Sequence, residues 1–141
     1  MVNASGSNKE SVPQSRANKR VLIIDDNWGD LKLMQEALKE IGYDDVYLAD
    51  RGTVGIRKAI SLKPHLIILD LHLPDINGIL AYRIIKAGKS HDSKVIIISG
   101  VKNSPLLEVL DRMNDEGVIP DVFIEKSHDY LLLQKTVNSI V

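Results

Sequence analysis

Three acidic residues offer the clearest chemistry in this sequence: the adjacent pair Asp25 and Asp26, and the single Asp70. Each follows directly after a short aliphatic run, and such runs are typical of fully buried parallel strands. Ligands of open α/β sheets bind just beyond the carboxyl ends of the strands. If the two strands are neighbours in the sheet, three carboxylates meet in one crevice.

Carboxylates held that close repel one another, by roughly 4 kcal/mol for two unit charges about 4 Å apart at an effective dielectric near 20. A fold does not keep such a cluster for its stability. Ligands that are all oxygen favour a hard divalent cation, so the three aspartates predict a Mg²⁺ site. The simpler interpretation is that Asp26 or Asn27 only caps the helix that follows, and that Asp70 is an ordinary loop carboxylate.

The composition limits the classes of protein to consider. The chain has 141 residues, 44% of them hydrophobic and 4% aromatic, which suits one domain with an aliphatic core. The net charge of -1 gives no electrostatic reason to expect binding to nucleic acid or to an anionic membrane. Without cysteine, disulfides and zinc–thiolate sites are excluded. The sequence shows no membrane-spanning run and no signal-peptide core, so we expect a soluble cytoplasmic protein.

The hydrophobic pattern divides the chain into two parts. Residues 1–19 are polar and without hydrophobic period, and we interpret them as a flexible tail. Residues 20–141 alternate between strand and helix, which predicts a single α/β domain: a doubly wound parallel sheet of five strands with helices on both faces. The predicted strands are 20–25, 44–48, 65–69, 94–98 and 121–124. The predicted helices include 53–62, 105–114 and a last one from about 128.

Two further polar residues fall at the same edge of the predicted sheet. Ser99 ends the fourth strand, and Lys126 follows the fifth. One edge therefore offers three carboxylates, a hydroxyl and an ammonium group. Taken alone, Ser99 could be a turn residue and Lys126 a solvated surface lysine.

Four stretches, in this order and at these strand positions, resemble a receiver domain of a two-component response regulator. They are Val21–Asn27, Leu69–Gly78, Ile97–Gly100 and Phe123–Lys126. The resemblance implies a flavodoxin-like fold with strand order 2-1-3-4-5. It also implies a function: a phosphorylation-dependent signalling switch.

The resemblance assigns the acidic residues to phosphoryl transfer. Asp70 would accept the phosphoryl group, and Asp26 and Asp70 would ligate Mg²⁺ directly. The backbone carbonyl of His72 would complete the protein ligands, and Asp25 would act mainly through a bound water. A carboxylate is also a chemically suitable nucleophile toward phosphorus.

The resemblance assigns the remaining residues to stabilising and reporting the phosphoryl group. Ser99 would hydrogen-bond it, and Lys126 would pair with Asp70 before transfer and with a phosphoryl oxygen afterwards. Phe123 occupies the aromatic switch position, although an ordinary core residue is the simpler interpretation. Asp30 and Asp75 are interpreted as surface or turn residues.

The implied partners are a sensor histidine kinase or a phosphotransfer protein, and a downstream protein target. Direct contact with nucleic acid or membrane is not expected. The chain would not be an enzyme, except that it catalyses its own phosphoryl transfer and dephosphorylation.

Two departures from the family pattern keep alternatives open. Ser127 replaces the usual proline, which predicts a trans Lys126–Ser127 bond and lets Ser127 cap the last helix. The segment 114–120 also lengthens the stretch before Lys126. One alternative is a Mg²⁺-dependent phosphohydrolase using Asp70, although His72 stands where such enzymes carry a second aspartate. The other is a receiver-like interaction module that is not phosphorylated.

Overall fold

The computed structural model of the chain describes residues 14–88, 92–100, 112, 115, 122–126 and 129–141. Within these residues, five parallel strands form one sheet in the order β2-β1-β3-β4-β5. The strands are Arg20–Ile24 (β1), Asp45–Ala49 (β2), Leu66–Asp70 (β3), Lys94–Ser99 (β4) and Val122–Glu125 (β5). The helices are Trp28–Glu40 (α1), Gly52–Leu62 (α2), Gly78–Ala87 (α3) and the C-terminal helix Leu131–Ile140. The predicted fold class and strand order are confirmed.

The central strands are apolar throughout because both faces of the sheet are covered. Along β1, Val21 and Ile23 belong to one hydrophobic cluster, while Leu22 and Ile24 belong to another. Successive side chains of a strand point to opposite faces, so each strand contributes to both clusters. One cluster contains buried residues of α1 and the C-terminal helix, and the other contains residues of α2 and α3. We call these two sides of the sheet the α1 face and the α2 face.

The two helices that follow β1 and β2 are capped in different ways. Asn27 caps α1 through its side-chain oxygen, which accepts a hydrogen bond from the amide of Asp30. The N-cap residue of α2, Arg51, makes no such bond. Instead, the carboxylate of Asp75 accepts from the amides of Gly52 and Thr53, at 2.8 and 2.9 Å. Asp75 is exposed, as predicted for a surface residue, but it also caps a helix from a distant loop.

Residues ahead of β1 contribute to the fold. Gln14–Asn18 forms a 3-10 helix, and the side chain of Arg16 in it is buried. Arg16 Nη1 donates to the carbonyl of Ile41 at 2.8 Å, and its guanidinium lies 5.1 Å from the ring centroid of Tyr43. Residues 14–18 therefore have defined structure within the segment that the sequence assigned to a flexible tail. Residues 1–13 of that tail lie outside the described part.

The C-terminal helix begins at Leu131, later than the predicted start near 128. Its N-cap residue is Tyr130, in the left-handed conformation with φ 53°, and the amide of Leu131 donates to Asp129 Oδ1 at 3.2 Å. The N-cap is therefore not Ser127, contrary to the prediction. The Lys126–Ser127 bond, the predicted helix 105–114 and the segment 114–120 fall outside the described residues, apart from Arg112 and Asp115.

Strand β2 forms one edge of the sheet, and a lysine lies against it. The carbonyl of Ala49 faces β1, since it accepts from the amide of Asp25 at 3.0 Å. Carbonyls alternate in direction along a strand, so that of Leu48 faces the open edge. There it accepts a hydrogen bond from Lys58 Nζ at 2.6 Å. No helix in the described part of the chain is long and apolar enough to cross a membrane.

Candidate metal centre

Strand register explains why distant aspartates meet. Asp70 ends β3 and continues the row of Ile68, which faces α1. Asp25 follows β1 and continues the row of Ile23 on the same face. Because β1 and β3 are paired neighbours, both carboxylates lie on the α1 face at the carboxyl edge of the sheet.

One carboxylate oxygen from each of Asp25, Asp26 and Asp70 lies within 4.8 Å of the others. Asp25 is fully buried and Asp70 is 4% exposed, while Asp26 faces solvent. A hard cation that retains several water ligands needs such an arrangement: a few carboxylate oxygens, one side open to solvent. The residues present therefore fit Mg²⁺.

Lys126 reaches the same pocket from β5. Its ammonium lies 2.7 Å from Asp25 Oδ2, 3.0 Å from Asp30 Oδ2 and 3.5 Å from Asp70 Oδ2. The backbone amide of Lys126 donates to the carbonyl of Ser99 at 2.8 Å, which ties it to the end of β4. Lys126 is thus held at the carboxyl edge by its backbone and by three carboxylates.

The pocket contains three carboxylates beside one ammonium group, and burial shifts the pKa values of these groups. Burial raises the pKa of Asp25 to about 6, against the hydrogen bonds from Lys126 and Asn27 that favour its ionised form. Burial also raises the pKa of Asp70, opposed by the amide of His72 and by Lys126. For Lys126, burial alone would lower the pKa, but the surrounding carboxylates outweigh it and raise the pKa. The ammonium of Lys126 is therefore firmly protonated.

Two backbone amides hold the buried carboxylates in place. The amide of Asn27 donates to Asp25 Oδ1 at 2.9 Å, and that of His72 donates to Asp70 Oδ1 at 3.0 Å. These bonds turn the chain sharply after each strand, and they place the backbone of His72 beside Asp70. His72 itself is exposed to solvent.

Ser99 and Phe123 occupy different parts of this region. Ser99 ends β4 and is fully buried. Because Ile98 belongs to the α1 face, its neighbour Ser99 lies on the α2 face. Phe123 is half-buried on β5 and packs against the hydrophobic cluster of the α2 face. The structure therefore brings Asp25, Asp26, Asp70 and Lys126 together, with Ser99 at the same edge, whereas Phe123 contacts the core.

Two residues of the pocket were not predicted. Asp30, interpreted as a surface residue, pairs with Lys126. Tyr130, predicted to lie within the last helix, is buried just before it, where burial and the facing Asp30 carboxylate raise its pKa. A signal for Asp30 exists in the sequence: it lies four residues before Met34, on the buried face of α1. No local pattern reveals its partner Lys126, which follows β5.

Comparison with known proteins finds a matching family and several relatives of this chain. Residues 21–127 match the family model described as response regulator receiver domain. The chain is 40% identical over 62 residues to the alkaline phosphatase synthesis transcriptional regulatory protein PhoP of Bacillus subtilis, covering 44% of the chain and 25% of that protein. It is 30% identical over 119 residues to a protein-glutamate methylesterase/protein-glutamine glutaminase of Thermotoga maritima, covering 81% and 32%. The chain thus spans about a quarter to a third of these relatives.

Solved structures give the same result over nearly whole chains. The response regulator TrrA of Thermotoga maritima, determined in complex with Mg²⁺-BeF, is 28% identical with a TM-score of 0.73. The match covers 87% of this chain and 99% of TrrA. With five parallel strands in the order 2-1-3-4-5, the acidic pocket at their carboxyl edge and a family match over most of its length, this chain belongs to the response regulator receiver domains of two-component systems.

Proposed function

We propose that the chain is a phosphorylation-dependent signalling switch that accepts a phosphoryl group on Asp70 in a Mg²⁺-dependent reaction. The donor would be a sensor histidine kinase or a phosphotransfer protein, and the output would be contact with a downstream protein. The observation that carries the proposal is the meeting of Asp25, Asp26, Asp70 and Lys126 in one pocket. The repulsion between these carboxylates destabilises the fold unless a bound cation compensates their negative charge.

In the proposed step, a carboxylate oxygen of Asp70 attacks the phosphorus of phosphohistidine in the donor. The phosphorus–nitrogen bond breaks, the imidazole leaves and takes up a proton, and a phosphorus–oxygen bond forms on Asp70. Hydrolysis by water later returns the carboxylate and releases inorganic phosphate. The chain acts only on its own acyl phosphate in this cycle.

The residues around Asp70 would assist by position and charge. Asp26, Asp70 and the carbonyl of His72 would hold Mg²⁺, with Asp25 acting through a bound water. The bound ion would supply positive charge at the phosphoryl oxygens, which is where charge develops during transfer. Lys126, 3.5 Å from Asp70 Oδ2, would then pair with a phosphoryl oxygen.

Ser99 and Phe123 would report the phosphoryl group to the surface of the domain. We propose that the hydroxyl of Ser99 is drawn toward the new dianion and that Phe123, half-buried on β5, changes its packing in response. We propose that a protein reads this change, because the net charge of -1 gives no electrostatic reason to expect binding to nucleic acid. DNA binding, named for relatives such as MtrA of Mycobacterium tuberculosis, is a property of those longer proteins.

Intact-mass spectrometry after incubation with Mg²⁺ and acetyl phosphate tests the proposal. The expected result is a stable gain of about 80 Da, the mass of one phosphoryl group. The gain should disappear without Mg²⁺ and in Asp70→Asn, which retains the shape of the acceptor.

Other outcomes would replace the proposal with a different function. Rapid turnover of many phosphoesters without a stable adduct would indicate a phosphohydrolase. Absence of both the adduct and Mg²⁺ binding would indicate an interaction module that is not phosphorylated.

A further inference from the structure

Asp30 is an additional carboxylate on the lysine of the site. Its Oδ2 lies 3.0 Å from Lys126 Nζ, closer than Oδ2 of Asp70 at 3.5 Å. The Asp30 side chain is 29% exposed, whereas Asp25 is fully buried. A primary ammonium has three hydrogens, and here three carboxylates surround it.

We propose that Asp30 is a positioning residue that keeps the ammonium of Lys126 at the acceptor while its other two partners are occupied. The inference rests on the proposed function, because Mg²⁺ and the phosphoryl group engage Asp25 and Asp70. Asp30 is not among the three carboxylates that cluster for a metal, so in this proposal its bond to Lys126 is retained when the metal and the phosphoryl group are bound. Without Asp30, the flexible lysine side chain would turn toward solvent.

The position of Asp30 suits this role because it is fixed from two sides. Its backbone amide donates to the side chain of Asn27, which anchors it in the first turn of α1. Its carboxylate also faces Tyr130, which is 3% exposed at the start of the C-terminal helix. Asp30 therefore approaches Lys126 from a hydrogen-bonded helix turn and beside a buried neighbour, which favours accurate placement of a catalytic group.

The experiment compares the rate of phosphorylation by acetyl phosphate in wild type, Asp30→Ala and Asp30→Asn. We expect Asp30→Ala to slow the reaction about 3- to 10-fold, the effect of losing one partly exposed charged hydrogen bond. Asp30→Asn, which retains an oxygen that accepts from Lys126, should lie between Asp30→Ala and wild type. Glu36→Gln, an exposed acidic residue on the same helix, is the matched control and should react at the wild-type rate.

Whether the Asp30 variants are phosphorylated more slowly or faster than wild type distinguishes a positioning role from a purely electrostatic one. If Asp30 acted only as a negative charge, both variants would react faster with the anionic donor, and by the same factor. That result would overturn the inference. In a Lys126→Met background, Asp30→Ala should cause no further slowing, because Asp30 acts through Lys126. Equal slowing in both backgrounds would also overturn it.

A second measurement does not depend on phosphorylation. In the presence of Mg²⁺ alone, NMR of ¹⁵N-lysine should show the ammonium of Lys126 protected from exchange in wild type and unprotected in Asp30→Ala. Unchanged protection in Asp30→Ala would contradict the inference even if phosphorylation proceeds. If wild type forms no adduct, the proposed function fails, and the NMR result still decides what holds Lys126.

Discussion

The ammonium of Lys126 lies 2.7 Å from Oδ2 of Asp25, a carboxylate that solvent does not reach. It therefore occupies, in part, the charge-compensating position that Mg²⁺ would take. The lysine and the metal consequently compete for Asp25, although the proposed reaction requires both.

Replacing Lys126 with methionine should separate binding from reaction. Mg²⁺ affinity should rise several-fold, because the competing cation is removed. The rate of phosphorylation should fall by about 100-fold, the scale for losing one group that stabilises developing charge. Calorimetric titration with Mg²⁺ and intact-mass kinetics measure the two effects. A parallel fall in both would show that Lys126 mainly maintains the shape of the pocket.

Mg²⁺ affinity should depend on pH through Asp25. Its pKa is raised to about 6, so a proton occupies this carboxyl below that pH and opposes metal binding. Affinity should therefore increase as the pH rises through about 6 and then level off. Trp28, which is 53% exposed at the start of α1, provides a fluorescence signal for the titration. Asp25→Asn should flatten the pH dependence, and a flat profile in wild type would contradict the prediction.

The carboxyl group of Asp25 also makes the stability of the metal-free protein depend on pH in a defined direction. The folded-state pKa of Asp25, about 6, lies above the ordinary value of 3.8, so the folded protein holds this proton more tightly than the unfolded chain. The resulting stabilisation is present below pH 3.8 and is lost as the pH rises through about 6. The unfolding free energy of wild type relative to that of Asp25→Asn should therefore fall as the pH rises across this range. Urea denaturation of both proteins measures this difference.

Gly78 should be intolerant of a side chain. A Cβ there would lie 2.6 Å from the Cα of Leu71 and 2.7 Å from its carbonyl oxygen, and backbone atoms cannot rotate aside. Gly78→Ala should lower the free energy of unfolding by about 1–3 kcal/mol. It should also weaken Mg²⁺ binding, because His72 follows Leu71 directly.

The matched control is Gly42→Ala, at the opposite end of α1 from the pocket. Gly42 has a φ of 104°, so alanine is strained there as well. Gly42→Ala should destabilise the protein and leave Mg²⁺ affinity unchanged. Equal effects of both variants on Mg²⁺ binding would show that affinity follows global stability and not the backbone at His72.

Asp75 should protect the first turn of α2. Asp75→Ala removes the acceptor for the amides of Gly52 and Thr53, so both amides should exchange faster with solvent and the melting temperature should fall. These amides lower the pKa of Asp75 to about 2, so its stabilising effect is present above 3.8 and is lost as the pH falls through about 2. Amide hydrogen exchange measured by NMR provides the readout.

Asp50→Ala is the comparison for Asp75→Ala, because Asp50 lies just before α2 and, within the described part of the chain, its carboxylate makes a partly exposed ion pair with Arg51, at 3.6 Å, and no hydrogen bond to the amides of Gly52 and Thr53. Such pairs contribute little, so the amides of α2 should remain protected in this variant. If Asp75→Ala also left them protected, the cap would have no energetic role.

The sequence predicted most of the sheet because its signals are local. Aliphatic runs marked the strands, and the aspartates at their ends identified one edge of the sheet. The alternation of side chains also determines that Asp25 and Asp70 point to the same face, since both continue rows that face α1. The roles of these residues in phosphoryl transfer remain predictions.

The contacts that the sequence did not reveal join residues far apart in the chain. Asp30 and Lys126 are 96 positions apart, and Asp75 and Gly52 are 23 apart. An acidic residue in a first helical turn or a loop is ordinarily explained by helix capping or solvation, so neither suggested a partner. The left-handed Tyr130 was also unexpected, because that conformation is uncommon for a bulky residue.

The hydrogen bond from Lys58 to the carbonyl of Leu48 has a consequence for self-association. An incoming strand that tried to extend the sheet beyond β2 would find this acceptor taken and a positive charge beside it. The open edge of β2 is therefore a poorer template for intermolecular β-pairing at Leu48.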